Sequence, residues 1–284
     1  MLNALTVDVE DYFQVSAFAP YLAQADWDRF PSRVAGNTQR LLEMLARREV
    51  RATFFVLGWI ARRLPRLVEE IRAAGHEIGS HGYAHQLIYR MSPDEFRADL
   101  VRARAALEDA SGGPVRSFRA PSFSITRKSL WALEILAEEG IRYDSSIFPV
   151  YHDRYGIPGA NPAIHCISTP SGPLWEFPPS VARIGPVNLP VSGGGYFRLY
   201  PLGLSLRLLR RVNRRHRRPF VFYVHPWEID PQQPRVPFGS RLTRFRHYLN
   251  LASTEKKLDG LLGAFRFAPL GEVVEQVRTE AGAA

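Results

Sequence analysis

Residues 52–85 read ATFFVLGWIARRLPRLVEEIRAAGHEIGSHGYAH, and this stretch sets the architecture. Ala52-Thr53-Phe54-Phe55-Val56-Leu57 is β-branched and aromatic, as a buried strand is. Leu64, Leu67, Val68 and Ile71 follow at helical spacing, and Gly75 is a natural stop. His76-Glu77-Ile78-Gly79-Ser80 is a second short strand that leads straight into His81. Strand, helix, strand in that order predicts a parallel pair with the helix packed outside it.

The same rhythm extends in both directions. Upstream, Leu2 to Val9 is an apolar strand that ends in acids, and Leu41, Leu42 and Leu45 mark a helix over Thr38 to Arg48. Downstream, Ser92-Pro93-Asp94-Glu95 has the form of a capping box opening a helix to about Ala110. Ser117-Phe118-Arg119-Ala120 is another short strand, and a helix over Arg127 to Glu139 closes at Gly140. The alternation predicts an α/β fold, either a barrel or an open parallel sheet with helices outside. Between Pro149 and Pro190 the rhythm gives way to a proline- and glycine-rich excursion of loops or a hairpin. It resumes with Pro219-Phe220-Val221-Phe222-Tyr223-Val224-His225, one helix over about Arg241 to Leu262, the strand Phe265-Arg266-Phe267 and a terminal helix.

Length and composition bound the answer. A chain of 284 residues with 45% hydrophobic content can bury a full core. We read it as one domain over 1–284, with a core to about 230 and a helical C-terminal extension over about 231–284. A single cysteine, Cys166, excludes an intramolecular disulfide and a cysteine-rich zinc site, and fits a reducing compartment. Acids interrupt the first apolar run before it could serve as a signal, and no apolar run is long enough to span a bilayer. The expectation is therefore a soluble cytoplasmic protein. The net charge of +9 is concentrated, because seven arginines and no acid lie between Arg207 and Arg218. A general nucleic-acid binder would spread that charge, so no nucleic-acid partner is expected.

Reactive side chains recur at the C-terminal ends of the predicted strands: Asp8, Glu10 and Asp11, then His81 and His85, Arg119, Asp144 and His225. In parallel α/β architectures that is the rim where active sites assemble. His81 and His85 form an H-x-x-x-H pair, which on one helical turn would aim two imidazoles at a single ion. Two histidines and a carboxylate leave a coordination position open, the pattern of a catalytic zinc site. Strand alternation puts Asp8 and Glu10 on the face opposite Val7 and Val9, where two like charges call for a cation between them. His225 follows a run too apolar for the surface and could act as a general acid near neutral pH. Each feature also has a plain structural reading: exposed turn histidines, acids that start a helix, a satisfied core histidine.

Taken together and in this order, the motifs resemble the NodB-type polysaccharide deacetylases, carbohydrate esterase family 4. Thr6-Val7-Asp8-Val9-Glu10-Asp11-Tyr12-Phe13 and Phe118-Arg119-Ala120-Pro121-Ser122-Phe123 look like the branch found in exosortase (PEP-CTERM) exopolysaccharide loci. That branch is similar to the peptidoglycan deacetylase and allantoinase-like subgroup. The resemblance implies a distorted (β/α) barrel, usually seven-stranded, and a zinc or similar divalent ion. It implies that Asp8 is the catalytic base, that His81 and His85 bind the metal, and that Arg119 orients the base. It implies that Asp144 supports the catalytic histidine His225, and that the backbone N–H near Ser122 lies in the oxyanion hole. The chain departs from the family where Asp-Val-Glu-Asp replaces two adjacent aspartates, so the third ligand is Glu10 or Asp11. Gly82 and Ser122 also depart, which points to a reshaped pocket.

The implied activity is hydrolysis of the acetamide of N-acetylated sugars in an oligo- or polysaccharide. Two rivals are a hydrolase of a small amide or ureide, and a degenerate carbohydrate-binding module that needs no metal. Trp175, Tyr196 and Phe197, in the excursion and just beyond it, suit a sugar face. Arg207, Arg210, Arg211, Arg214 and Arg218 fall at helical spacing beside a leucine-rich face. We read them as a contact for anionic lipid headgroups or for the phosphates of a lipid-linked glycan, peripheral to the inner membrane. The plainer reading is the solvated face of an ordinary helix.

Overall fold

A computed structural model describes residues 1–152 and 154–282. In chain order the strands and helices are β1 (Leu2–Val9), α1 (Val34–Arg47), β2 (Thr53–Val56), α2 (Gly58–Arg63), α3 (Pro65–Ala73) and β3 (Glu77–Ser80). Next come α4 (Pro93–Ser111), β4 (Ser117–Phe118), α5 (Ala132–Glu138), β5 (Tyr143–Asp144), β6 (His165–Thr169) and β7 (Gly172–Glu176). The chain continues through β8 (Val181–Ile184), β9 (Val187–Pro190), α6 (Gly194–Leu199), α7 (Leu202–Arg215) and β10 (Val221–Val224). It ends with α8 (Arg241–Tyr248), α9 (Leu251–Leu262), β11 (Arg266–Ala268) and α10 (Leu270–Gly282).

The larger sheet runs β10-β1-β2-β3-β4-β5-β7-β6, with β11 also paired to β1. Every pairing in it is parallel except β6 with β7. The parallel path thus has the seven strands expected of the distorted barrel, but the sheet has nine and is curled into a half-barrel. No β-ladder among the described residues joins β7 to β10. The segment between them bridges the gap instead: Ser180 Oγ accepts from Val221 N at 2.9 Å, and Ser192 O from Tyr223 N at 2.7 Å. Gly193 passes so close to β10 that an added Cβ would lie 1.9 Å from the Tyr223 carbonyl oxygen. The excursion is two antiparallel hairpins, β6–β7 and β8–β9.

The core explains the order. Val7, Val9, Phe54, Val56 and Ile78 face outward into a cluster with Leu41, Leu45, Val68, Ile71 and Leu209 from the surrounding helices. Burying side chains of this size favours folding by roughly 1.5–3 kcal/mol each. The Ser92 capping box is formed: Glu95 N donates to Ser92 Oγ at 3.2 Å, and Ser92 N to Glu95 Oε2 at 2.7 Å. No described helix is long and apolar enough to cross a membrane.

Two expectations need correction. The helix expected over Arg127 to Glu139 begins only at Ala132, because Ser129 Oγ accepts from Thr126 N and holds a preceding turn. The single helix expected over Arg241 to Leu262 is two. Arg198 Nη1 donates to the carbonyls of Arg246, His247 and Leu249, and Asn250 takes a left-handed conformation with φ 55°. Carbonyls that would continue the helix are thus spent on a buried guanidinium.

Candidate active site

The C-terminal ends of β1, β3, β4 and β10 converge, and the side chains just beyond them are almost fully enclosed. Glu10, His81 and His85 each present a ligand atom, all within 4.8 Å of one another. Glu10 Oε2 lies 2.8 Å from His85 Nε2 yet accepts no directed hydrogen bond. A buried carboxylate oxygen with no donor is costly unless a cation takes the place of one. The trio therefore fits a divalent metal by donor chemistry.

The histidine pair is not on a helical turn. It sits on a loop after β3, where Gly82 has φ 72° and His85 φ 53°. These two left-handed residues fold the chain back so that the imidazole centroids are 5.2 Å apart. Each ring is anchored from behind: His81 Nδ1 meets Arg119 O at 2.7 Å, and His85 Nδ1 meets Ser16 Oγ at 3.3 Å. Ser16 Oγ in turn lies 2.7 Å from Ser122 Oγ. Burial pushes His81 down to about 4, keeping its ring neutral as a ligand requires. Glu10 is held at about 2; burial alone would raise it, but the imidazoles of His85, His225 and His81 together prevail.

Of the two carboxylates left open as third ligand, the geometry brings Glu10 to the histidines and turns Asp11 away. Asp11 Oδ2 accepts from Ser32 Oγ at 2.7 Å, Arg33 N at 2.9 Å and Val34 N at 3.2 Å. It satisfies the free N–H groups at the start of α1, so it serves the helix rather than the ligand cluster.

Arg119 lies wholly buried beside Asp8. Its Nη1 donates to Asp8 Oδ1 at 2.8 Å and Thr6 Oγ1 at 2.6 Å, while Nη2 and Nε donate to Ser145 Oγ and Ser145 O. Asp8 Oδ2 and Glu10 Oε1 face His225 Nε2 at 3.9 and 3.5 Å. Trp227 Nε1 donates to Glu10 Oε1 at 3.2 Å, and its ring stacks on His225.

Asp144 does not support His225. The carboxylate on His225 Nδ1 is Glu228, at 3.0 Å. Glu228 Oε1 accepts from buried Arg198 Nε at 2.7 Å, completing an imidazole–carboxylate–guanidinium row. Burial alone would lower His225, but Glu228, Glu10 and Asp8 lift it to about 9. Asp144 instead accepts from Ser146 Oγ and abuts Glu176. Burial raises both carboxyls, Asp144 to about 6 and Glu176 well above the usual range, where the charge on Asp144 adds to the effect. The protonated form is thus favoured at this buried pair. Ser122 lies beside the cluster in a left-handed conformation, φ 51°.

Residues the sequence reading missed are Glu228, Arg198, Trp227 and Glu176. Glu228 had a signal: His225-Pro226-Trp227-Glu228 is a capping box, and His225 N also donates to Glu228 Oε2 at 3.0 Å. Arg198 and Glu176 are far from the motifs in sequence and carry no local mark.

Residues 25–143 match the polysaccharide deacetylase family, and residues 145–275 match a domain of unknown function, DUF3473. A peptidoglycan-N-acetylglucosamine deacetylase of Bacillus cereus is 34% identical over 98 residues, 34% of this chain and 36% of its own length. A chitooligosaccharide deacetylase of Bradyrhizobium is 31% identical over 101 residues, 35% of this chain and 43% of its own length. The chain thus spans well under two thirds of these curated relatives. A crystal structure described as a polysaccharide deacetylase from Mycobacterium smegmatis superposes with a TM-score of 0.66 at 21% identity, covering 99% of this chain and 91% of that one. It shares the fold. Over residues 25–143 the chain is thus similar to polysaccharide deacetylases, and that stretch is followed directly by the DUF3473 match.

Proposed function

We propose that the protein hydrolyses the acetamide of N-acetylated sugar residues in a glycan, releasing acetate and a free amine. The observation that carries this reading is the enclosure of three groups on one rim: the Glu10–His81–His85 trio, the Asp8–Arg119 pair and the His225–Glu228 pair. Glu10, His81 and His85 would hold a divalent ion, with zinc favoured by the two imidazoles and one carboxylate. When bound there, such an ion supplies a Lewis acid that polarises the carbonyl and acidifies water.

The chain's own residues supply the proton movements. Asp8, fixed by Arg119, takes a proton from the attacking water as the water oxygen bonds to the carbonyl carbon. In this reading the backbone N–H beside Ser122 faces the developing oxyanion, as the resemblance implies. His225, whose protonated form its neighbour Glu228 favours, gives its proton to the sugar nitrogen as the C–N bond breaks. Glu228, on Nδ1, orients the ring so that the proton on Nε2 faces the reacting atoms. A role in exopolysaccharide synthesis in the cytoplasm belongs to this reading and rests on the resemblance carried by the Thr6–Phe13 and Phe118–Phe123 motifs. The peptidoglycan and chitooligosaccharide activities named for the two relatives support a glycan substrate.

The test is acetate release from N-acetylated oligosaccharides by purified protein, before and after chelation and after zinc is restored. Release that chelator abolishes and zinc restores is expected. Bound metal with no acetate from any glycan, but turnover of a small amide or ureide, would replace the substrate. Glycan binding that survives chelation with no turnover would make the domain a binding module.

A further inference from the structure

The barrel has two ends, and the arginine-rich segment lies at the end the catalytic residues do not use. The last turn of α7 packs against the N-terminal end of β1, where Asn213 Nδ2 donates to Asn3 Oδ1 at 2.7 Å. β8 leaves from Ser180, level with Val221, and β9 returns to Ser192, level with Tyr223. The turn between them, Gly185-Pro186, therefore projects beyond the N-terminal ends of the barrel strands. From strand rise, it lies roughly 25–30 Å from His225 at the opposite end.

α7 and this hairpin form one surface. Arg218 Nη2 donates to Val181 O at 2.9 Å, and Arg211 Nε to Arg183 O at 3.0 Å. This corrects the expected stripe, because Arg211 and Arg218 pin the hairpin rather than stand free. Arg207, Arg210, Arg214, Arg215 and Arg217 are exposed, and no carboxylate among the described residues pairs with any of them. Residues 177–227 contain nine arginines and not one acid. At the hairpin tip Ile184 and Val187 are 44% and 54% exposed on either side of Gly185-Pro186. An apolar turn thrust into water from the midst of uncompensated arginines is unfavourable on both counts unless something covers it.

We propose that this end of the molecule docks on an anionic lipid bilayer, with the arginines of α7 against the headgroups and the Ile184–Val187 turn inserted at the headgroup boundary. A soluble polyanion would use the arginines and leave the apolar turn unused, whereas a bilayer interface takes both. The catalytic rim then opens away from the surface. A lipid phosphate on these arginines is too far from His225 for the sugar attached to it to be the one that reacts, so any substrate reaches the rim from beyond the headgroup plane.

Binding is read without substrate, which separates this proposal from the deacetylase reading. The full chain is sedimented with vesicles of phosphatidylcholine alone, and of phosphatidylcholine mixed with phosphatidylglycerol, at low and high salt. Binding only to the mixed vesicles is expected, weakened by salt. Each arginine near an anionic surface contributes roughly fivefold to partitioning, so R207Q/R210Q/R214Q should bind roughly 100-fold more weakly. I184S/V187S should also lose vesicle binding while retaining heparin binding, with an unchanged melting temperature showing that it is folded. Absence of binding to the anionic vesicles at low salt overturns the proposal. So does I184S/V187S binding vesicles as tightly as wild type, which would mark the surface as a site for soluble polyanions.

Discussion

Glu228 Oε2 lies 3.0 Å from His225 Nδ1 and accepts the backbone N–H of the same residue, so one carboxylate fixes both the ring and the chain that carries it. Glu228→Gln should therefore lower kcat by about 10²-fold or more, the usual contribution of a positioned proton donor, with little change in KM. Steady-state acetate release measures it. Wild-type kcat in this variant would remove Glu228 from the chemistry.

Glu10 and Asp11 are adjacent, and their substitutions should separate. Glu10→Ala should abolish stoichiometric metal uptake, while Asp11→Asn should retain it and lower the melting temperature. The latter weakens hydrogen bonds to the start of α1, a loss of about 1–3 kcal/mol. Metal analysis beside a thermal melt distinguishes them, and metal loss in Asp11→Asn with uptake intact in Glu10→Ala would reverse the assignment.

Asp8→Asn should bind metal and glycan yet turn over more slowly by several orders of magnitude, because Arg119 can still hold an amide oxygen where the base was. Full activity there would exclude Asp8 as the base.

Ser16→Ala should weaken metal affinity by about 10-fold, in line with partners that orient a ligand imidazole. The hydroxyl links His85 to Ser122, so its removal frees the ligand ring to rotate. A competition titration with a chromogenic chelator reads the change, and unchanged affinity would make the contact incidental.

Acidification from about pH 6.5 should cost stability at His76 and His247, while the raised carboxyls of Asp144 and Glu176 act in the opposite sense over the same range. Burial lowers His76 to about 4 and His247 to about 3, so the unfolded chain binds protons that the folded chain refuses. The stabilisation is complete above the unfolded value of 6.5 and is lost progressively toward the folded values, by about 1–3 kcal/mol per group. Urea midpoints of His76→Phe and His247→Phe beside wild type isolate it: each variant should lose less stability than wild type between pH 7 and about 4.5, and equal pH dependence would contradict it.

Most of the strand ends could be read because each is a short apolar run that stops abruptly at a polar side chain. Asp8, His81, Arg119 and His225 therefore stand out together in the sequence. The loop that pairs the histidines was read as a helical turn, since H-x-x-x-H spacing does not distinguish a turn of helix from a reversal at Gly82. Asp144 was misplaced for a different reason. It ends its strand as the others do, but whether a carboxylate at that position reaches His225 or turns to Glu176 depends on a contact 32 residues away in sequence. The break at Asn250 was hidden because its cause, Arg198, lies on another helix.

The bridged opening between β7 and β10 has an evolutionary corollary. The ring is completed by Ser180, Ser192 and Gly193 at the root of a hairpin whose tip lies away from the proposed site. Lineages could therefore lengthen, shorten or recolour that tip while the root stays constrained by Tyr223 and the strand-end cluster is left as it was.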